Sequence, residues 1–99
     1  MIDWGEPKRL VNIAKQGLDF ARFQTAFSWD CFLADMARPS RMGRLRYRFL
    51  GEMAGVAVVV AIVSPLGSEA ISILSLRRAS AKERAYYENW LENRGLQQG

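Results

Sequence analysis

The sequence predicts an α+β domain. Three observations carry that expectation: helical spacing of apolar residues near the N-terminus, strand-like patterns through the middle, and a capped helix at the end. The expected order is β-α-α-β-β-β-β-α, a mostly antiparallel sheet packed by helices, in one domain over residues 1–99. Helices and strands are segregated along the chain, which sets this pattern apart from alternating α/β folds.

Residues 1–4 read as a short edge strand. Pro7 suits the first turn of a helix over residues 7–16, where its missing N–H costs nothing; Leu10, Ile13 and Ala14 repeat on one face, and Gly17 closes it. Asp19 is an N-cap for a second helix whose Phe20, Phe23 and Phe27 share a stripe. Residues 29–34 form a compact apolar strand, followed by a polar loop over 38–43. Leu45, Tyr47 and Phe49 then alternate with Arg44, Arg46 and Arg48, the period of a half-buried strand that shows guanidinium groups on its open face. Residues 56–63 are continuously apolar and β-branched, as in a covered central strand. Pro65-Leu66-Gly67 reads as the turn out of it, and 70–76 as the last strand. Ser80 with Glu83 is a capping box; Tyr86, Tyr87, Trp90 and Leu91 form the inner face of the final helix, and Arg94-Gly95 stops it.

Composition narrows the chemistry. Fourteen Lys and Arg against ten Asp and Glu leave a formal charge of +4, which favours phosphate-rich or acidic partners. The charge is concentrated: Arg38, Arg41, Arg44, Arg46 and Arg48 fall in a stretch without an acid. One cysteine, Cys31, excludes an internal disulfide, and the absence of histidine removes the usual zinc ligand and general base, so no metal or cofactor is expected. The apolar stretch over 53–66 is too short for a transmembrane helix, and an N-terminus with Asp3 and Glu6 lacks a signal-peptide pattern. The expectation is a cytoplasmic protein without membrane contact.

No Gly-rich phosphate loop, nucleophile–histidine pair or carboxylate cluster is present, so any catalysis must use Arg, Lys, Tyr or scattered acids. RNA cleavage by its own 2′-hydroxyl tolerates that kit, because it needs the backbone held in line and the phosphate charge neutralised. Three like charges along a strand repel unless an anion lies across them, which makes Arg44, Arg46 and Arg48 the leading RNA contacts. Arg77 and Arg78 follow at the rim of the last strand; Lys8 and Lys15, seven apart, share one side of the first helix. Glu83 is explained by the capping box, and Cys31 by packing.

The specific residues form a recognisable pattern. Trp4, Lys8, Asn12, Lys15, Gly17 and Phe20 have the spacing of the W-x3-K-x3-N-x2-K-H-G-x2-F opening of the BrnT toxins. Ser75, Arg77, Ala79, Ser80, Glu83, Arg84 and Tyr87 look like that family's S-A-R-x-A-[ST]-x2-E-R-x2-Y close, and Arg46 with Gly51 resembles its E-R-x4-G segment. The resemblance spans nearly the whole chain. It implies a RelE-like fold and a ribonuclease that halts translation. It also implies neutralisation by a BrnA-like antitoxin of the ribbon-helix-helix class, through which alone the complex reaches operator DNA. On the matching positions Arg46 and Arg77 are expected to hold the phosphate and transition-state charge, converging on one anion-sized spot, and Lys15 to contact the RNA backbone. Lys8, Arg44, Arg48 and Arg78 are expected to bind RNA. Three positions depart from the pattern: Gln16 stands where the family usually has His, Leu45 where it has Glu, and Ser72 where it has Arg. Gln16 hydrogen-bonds but takes up no proton near neutral pH. A second reading is therefore a degenerate member that serves only in antitoxin binding and operon repression. A plain nucleic-acid-binding domain is a third, disfavoured by the lack of a zinc finger or RNP sequence.

Overall fold

The computed structural model describes residues 2–98, with the side chains of residues 2–94. In chain order they form β1 (Ile2–Asp3), α1 (Glu6–Gln16), α2 (Phe20–Ala26), β2 (Phe27–Met36), β3 (Tyr47–Met53), β4 (Ala57–Leu66), β5 (Ala70–Arg78) and α3 (Ala81–Gln98). The element order is the one predicted. One sheet runs β1-β5-β4-β3-β2, antiparallel throughout except for the parallel pair of β1 with β5.

The two faces of this sheet carry different cores. Met53, Val59, Ala61, Val63, Ile73 and Leu76 pack with Leu18, Phe20, Phe23 and Phe27 from α2 and its flanks, while Leu50 and Val60 on the opposite face pack with Tyr87 of α3. Phe20 and Phe23 fall on the predicted stripe, but Phe27 caps α2 and starts β2, continuing the aromatic contact into the sheet at 4.6 Å between ring centroids. Aspartate 19 caps α2 as expected, accepting from the Ala21 N–H at 2.9 Å, and Arg9 grips the same carboxylate through two nitrogens.

α1 seats itself differently from its apolar pattern. Leu10 is 58% exposed, and the buried residue is Asn12. The reason lies in β5, whose outer edge is paired with β1 only at Ile71 and Ser72. Farther along, Leu76 presents a backbone N–H and C=O with no strand beside them. The Asn12 side-chain amide fills that place, accepting from the Leu76 N–H at 3.0 Å and donating to the Leu76 carbonyl at 2.9 Å and the Leu18 carbonyl at 2.9 Å. A buried backbone edge requires hydrogen-bonding groups, so an amide displaces leucine from the inner face.

The predicted arginine row is interrupted as well. β3 begins at Tyr47, so only Arg48 lies on the strand, while Arg44 and Arg46 belong to the connection from β2. That connection folds back on itself: Ser40 Oγ accepts from the Arg44 N–H, the Gly43 N–H donates to the Ser40 carbonyl, and Gly43 adopts a left-handed φ of 78°. The Leu45 carbonyl is taken by the Ser64 hydroxyl at 2.7 Å, a side chain standing where a ladder bond would otherwise continue. Pro65 and Leu66 are the last residues of β4 rather than a turn; β3 pairs only as far as Val63, so Pro65 has no β3 partner to disappoint, and the turn falls at residues 67–69. α3 continues through Gly95 instead of stopping there, and Tyr86 faces outward at 48% exposure.

Gly51 marks the tightest approach in the sheet. A Cβ there would stand 2.7 Å from Phe27 Cζ and 3.0 Å from Phe32 Cβ. Gly51→Ala is expected to lower unfolding stability by about 1–3 kcal/mol through overpacking, seen as a reduced urea midpoint at unchanged m-value.

Candidate nucleic-acid interface

The ladder places the predicted cations on two sites. Leu50, Val60 and Arg77 lie in one row across β3, β4 and β5; Arg48, Ile62 and Ser75 form the next, and Ser64 pairs with Ser72 farther along. Leu50, Val60 and Ile62 pack with the α3 core, so these rows share the α3 face. α3 covers only its upper part.

Below α3 two clefts meet. One, of about 330 Å³, is bounded by Lys8, Arg44, Arg46 and the Ser40–Arg44 turn, with Ser64 and Ser72 hydroxyls beneath. The other, of about 460 Å³, lies between α1 and β5, where Lys8, Lys15, Gln16 and Ser75 stand around it. They share Lys8 and Leu74. Lys8 and Lys15 reach the groove because Gly5 and Gly17 cap α1 and Asn12 fixes its rotation. Among the described residues Lys8, Lys15, Arg44 and Arg46 form no salt bridge, and neither cleft has an acidic residue in its lining. The groove is a concentration of unneutralised positive charge above a hydroxyl-bearing floor.

Arg48 and Arg77 belong elsewhere. Arg48 donates to both oxygens of Asp35, at 2.9 and 2.6 Å, from the facing position on β2, and its guanidinium lies 3.6 Å from Glu83 and over the Tyr86 ring. Arg77 holds Glu83 bidentately at 2.6 and 2.9 Å. Glu83 simultaneously completes the predicted capping box, accepting from the Ser80 N–H while Ser80 Oγ accepts from the Glu83 N–H. The expected convergence of Arg46 and Arg77 on one anion is not what the chain builds: Arg77 is seated on Glu83, and Arg46 lies roughly four residues, about 13 Å, along the strand direction from that row. Both stand on the same sheet face. Arg78 is exposed at the end of β5, outside either cleft.

Asp35 and the structural duty of Asn12 were missed from sequence, and Tyr86, expected on the inner face of α3, is instead the exposed ring under Arg48. Asp35 was reachable only through the β2–β3 register, which pairs it directly with Arg48. Cys31 is half-buried with Sγ 2.9 Å from the Arg94 guanidinium. Among the described residues no group of three His, Cys, Asp or Glu could hold a metal ion, and no helix is long and apolar enough to cross a membrane.

The hydrogen bond from Arg77, assisted by the Ser80 N–H and opposed by burial, pulls the Glu83 carboxyl down from 4.5 to about 2. A depressed folded pKa stabilises the fold above the unfolded value and loses that stabilisation as pH falls through the folded one. Between about pH 5 and about pH 3 this carboxylate is expected to withdraw roughly 2 kcal/mol. Glu83→Gln should flatten that portion of the stability–pH curve measured by urea titration. A variant with the wild-type slope would remove Glu83 as its source.

Three comparisons bear on identity. The family model for BrnT, the ribonuclease toxin of type II toxin–antitoxin systems, matches residues 4–83. The 1.1 Å crystal structure of the Brucella abortus ribonuclease toxin BrnT is similar at 38% identity, over 80% of this chain and 95% of that one, with a TM-score of 0.56. No curated protein matches. The matched span runs from Trp4, just after β1, to the first turn of α3 and takes in both clefts and the Arg77–Glu83 pair; the chain belongs to the BrnT family of ribonuclease toxins of type II toxin–antitoxin systems.

Proposed function

We propose that this member is an active endoribonuclease that cleaves RNA without a metal ion, inhibits translation, and is neutralised by a BrnA-like antitoxin of the ribbon-helix-helix class. The observation that carries the reading is the groove: Lys8, Lys15, Arg44 and Arg46 converge around two joined clefts with no acid among their linings. An RNA strand laid there has its phosphates neutralised and its backbone constrained, the two requirements of in-line attack by the 2′-hydroxyl. Arg46 takes the phosphate where negative charge develops, Lys8 and Lys15 hold the flanking backbone, and Arg44 closes the strand in. Arg48 and Arg77 act at a distance, tying β2, β3, β5 and α3 together beyond the groove, under α3.

Proton transfer falls to solvent. Gln16 carries no titratable proton, and Glu83 is committed to Arg77 and Ser80 as a low-pKa carboxylate. The cleavage rate should then climb with hydroxide, about tenfold per pH unit, with no inflection near neutrality. An antitoxin that lays acidic side chains over the groove relieves its self-repulsion and excludes RNA, so complex formation is expected to weaken with salt.

The test is induction of the chain without its antitoxin, with growth and bulk RNA followed, and cleavage by purified protein in excess chelator. Growth arrest with fragmented RNA, insensitive to chelator, is expected. The glutamine at position 16 favours one other reading, a subunit that binds antitoxin and represses its operon without cutting. Intact RNA and undiminished growth, alongside a tight antitoxin complex, would select it.

A further inference from the structure

We propose that the cleft between α1 and β5 is a nucleobase subsite, taking the base of a single-stranded nucleotide beside the phosphate at Arg46. This rests on the reading of the groove as an RNA site. The observation behind it is apolar surface where the groove has no structural use for it. Val11 is 52% exposed in the cleft, next to Pro7 and Leu74, and neither Val11 nor Leu74 belongs to a core cluster. Leu74 is placed there by an irregularity in β5: the pairing passes from Ser75–Ile62 to Ile73–Val63, leaving Leu74 outside the ladder. Such bulges re-aim a side chain, and this one sets a leucine at the partition shared by both clefts.

A base has the complementary chemistry. Its flat apolar faces cover Val11 and Leu74, while the Gln16 amide and Ser75 hydroxyl offer donors and acceptors to its edges. Lys8 and Lys15, at i−3 and i+4 from Val11, stand at either side for the flanking phosphates. An apolar protein side chain would cover the floor but leave both lysines without counter-charge, which favours a nucleotide. The cleft's volume of about 460 Å³ falls within the usual range for small-molecule sites.

The test compares binding of an uncleavable 2′-fluoro RNA strand with the same backbone made abasic, by fluorescence anisotropy on the full chain. Wild type is expected to prefer the base-bearing strand by about 5- to 30-fold, the worth of covering exposed valine and leucine surface with an apolar base face. Val11→Ser should bring that ratio toward one with abasic affinity unchanged; Arg46→Ala should weaken both strands and keep the ratio. Leu74→Ser repeats the Val11 test from the strand side. A wild-type ratio of one overturns the subsite. So does a ratio that survives both serine variants, and if those variants weaken the antitoxin complex instead, the cleft is the antitoxin's. Failure of wild type to cut RNA with the ratio intact would sink only the cleavage reading.

Discussion

Arg46→Ala is expected to slow RNA cleavage by about 100- to 1000-fold, the cost of removing one preorganised donor from a developing oxyanion. The side chain has no acid partner among the described residues, and it is the Arg46 backbone carbonyl that ties the connection to β2, accepting from the Ala37 N–H at 3.0 Å. Truncation therefore leaves the connection folded, and stability should change by less than about 0.5 kcal/mol. The logarithmic salt slope of RNA binding should become shallower by roughly one. Lys82→Ala, an exposed change on α3, serves as the control for net charge. Cleavage within about twofold of wild type would remove Arg46 from the mechanism. Arg77→Ala should act instead through the fold, freeing Glu83 and loosening the start of α3, so that its activity loss tracks its stability loss.

Asn12→Ala is expected to cost about 3–4 kcal/mol of unfolding free energy, because it strands the Leu76 N–H, the Leu76 carbonyl and the Leu18 carbonyl in a buried place. Chemical denaturation reads this directly. Asn12→Asp sharpens the test. A carboxylate still accepts from Leu76 N–H but turns negative charge on two carbonyls, so this near-isosteric change should destabilise as much as alanine at neutral pH. Wild-type stability in Asn12→Asp would mean that the amide is not acting as a substitute strand. Because Asn12 also fixes the face α1 shows to the groove, both variants should weaken RNA binding even where they remain folded.

Order and class were legible because they depend on local chemistry: the Asp19 cap, the Ser80–Glu83 box, Gly17 in a left-handed conformation and the β-branched run of β4 each act within a few residues. What required partners across the fold was not. The alternation of Arg44, Arg46 and Arg48 is real, yet it says nothing of Asp35, whose pairing with Arg48 depends on how residues 37–46 close. Arg77 looked free for the same reason, since Glu83 was already explained by the cap and nothing local revealed its second duty. Leu10, Ile13 and Ala14 marked a helix correctly but not its inner face, which the unpaired edge of β5 decided. Lys8, Lys15, Arg44 and Arg46 line two adjoining clefts, a meeting of α1 with the β2–β3 connection that the spacing within either segment does not foretell.

The sealing of β5 by Asn12 leaves the molecule lopsided as a template for further strands. One margin of the sheet is closed by the two-residue β1 and the Asn12 side chain, so the long outer edge left to an incoming chain is that of β2, ten residues in length. There the ladder breaks between Phe27 and Phe32, and Asp30 stands exposed in the break. A kinked, charged selvedge of this kind resists fibril growth from the native state, so loss of soluble protein on storage should follow global unfolding rather than edge-to-edge stacking.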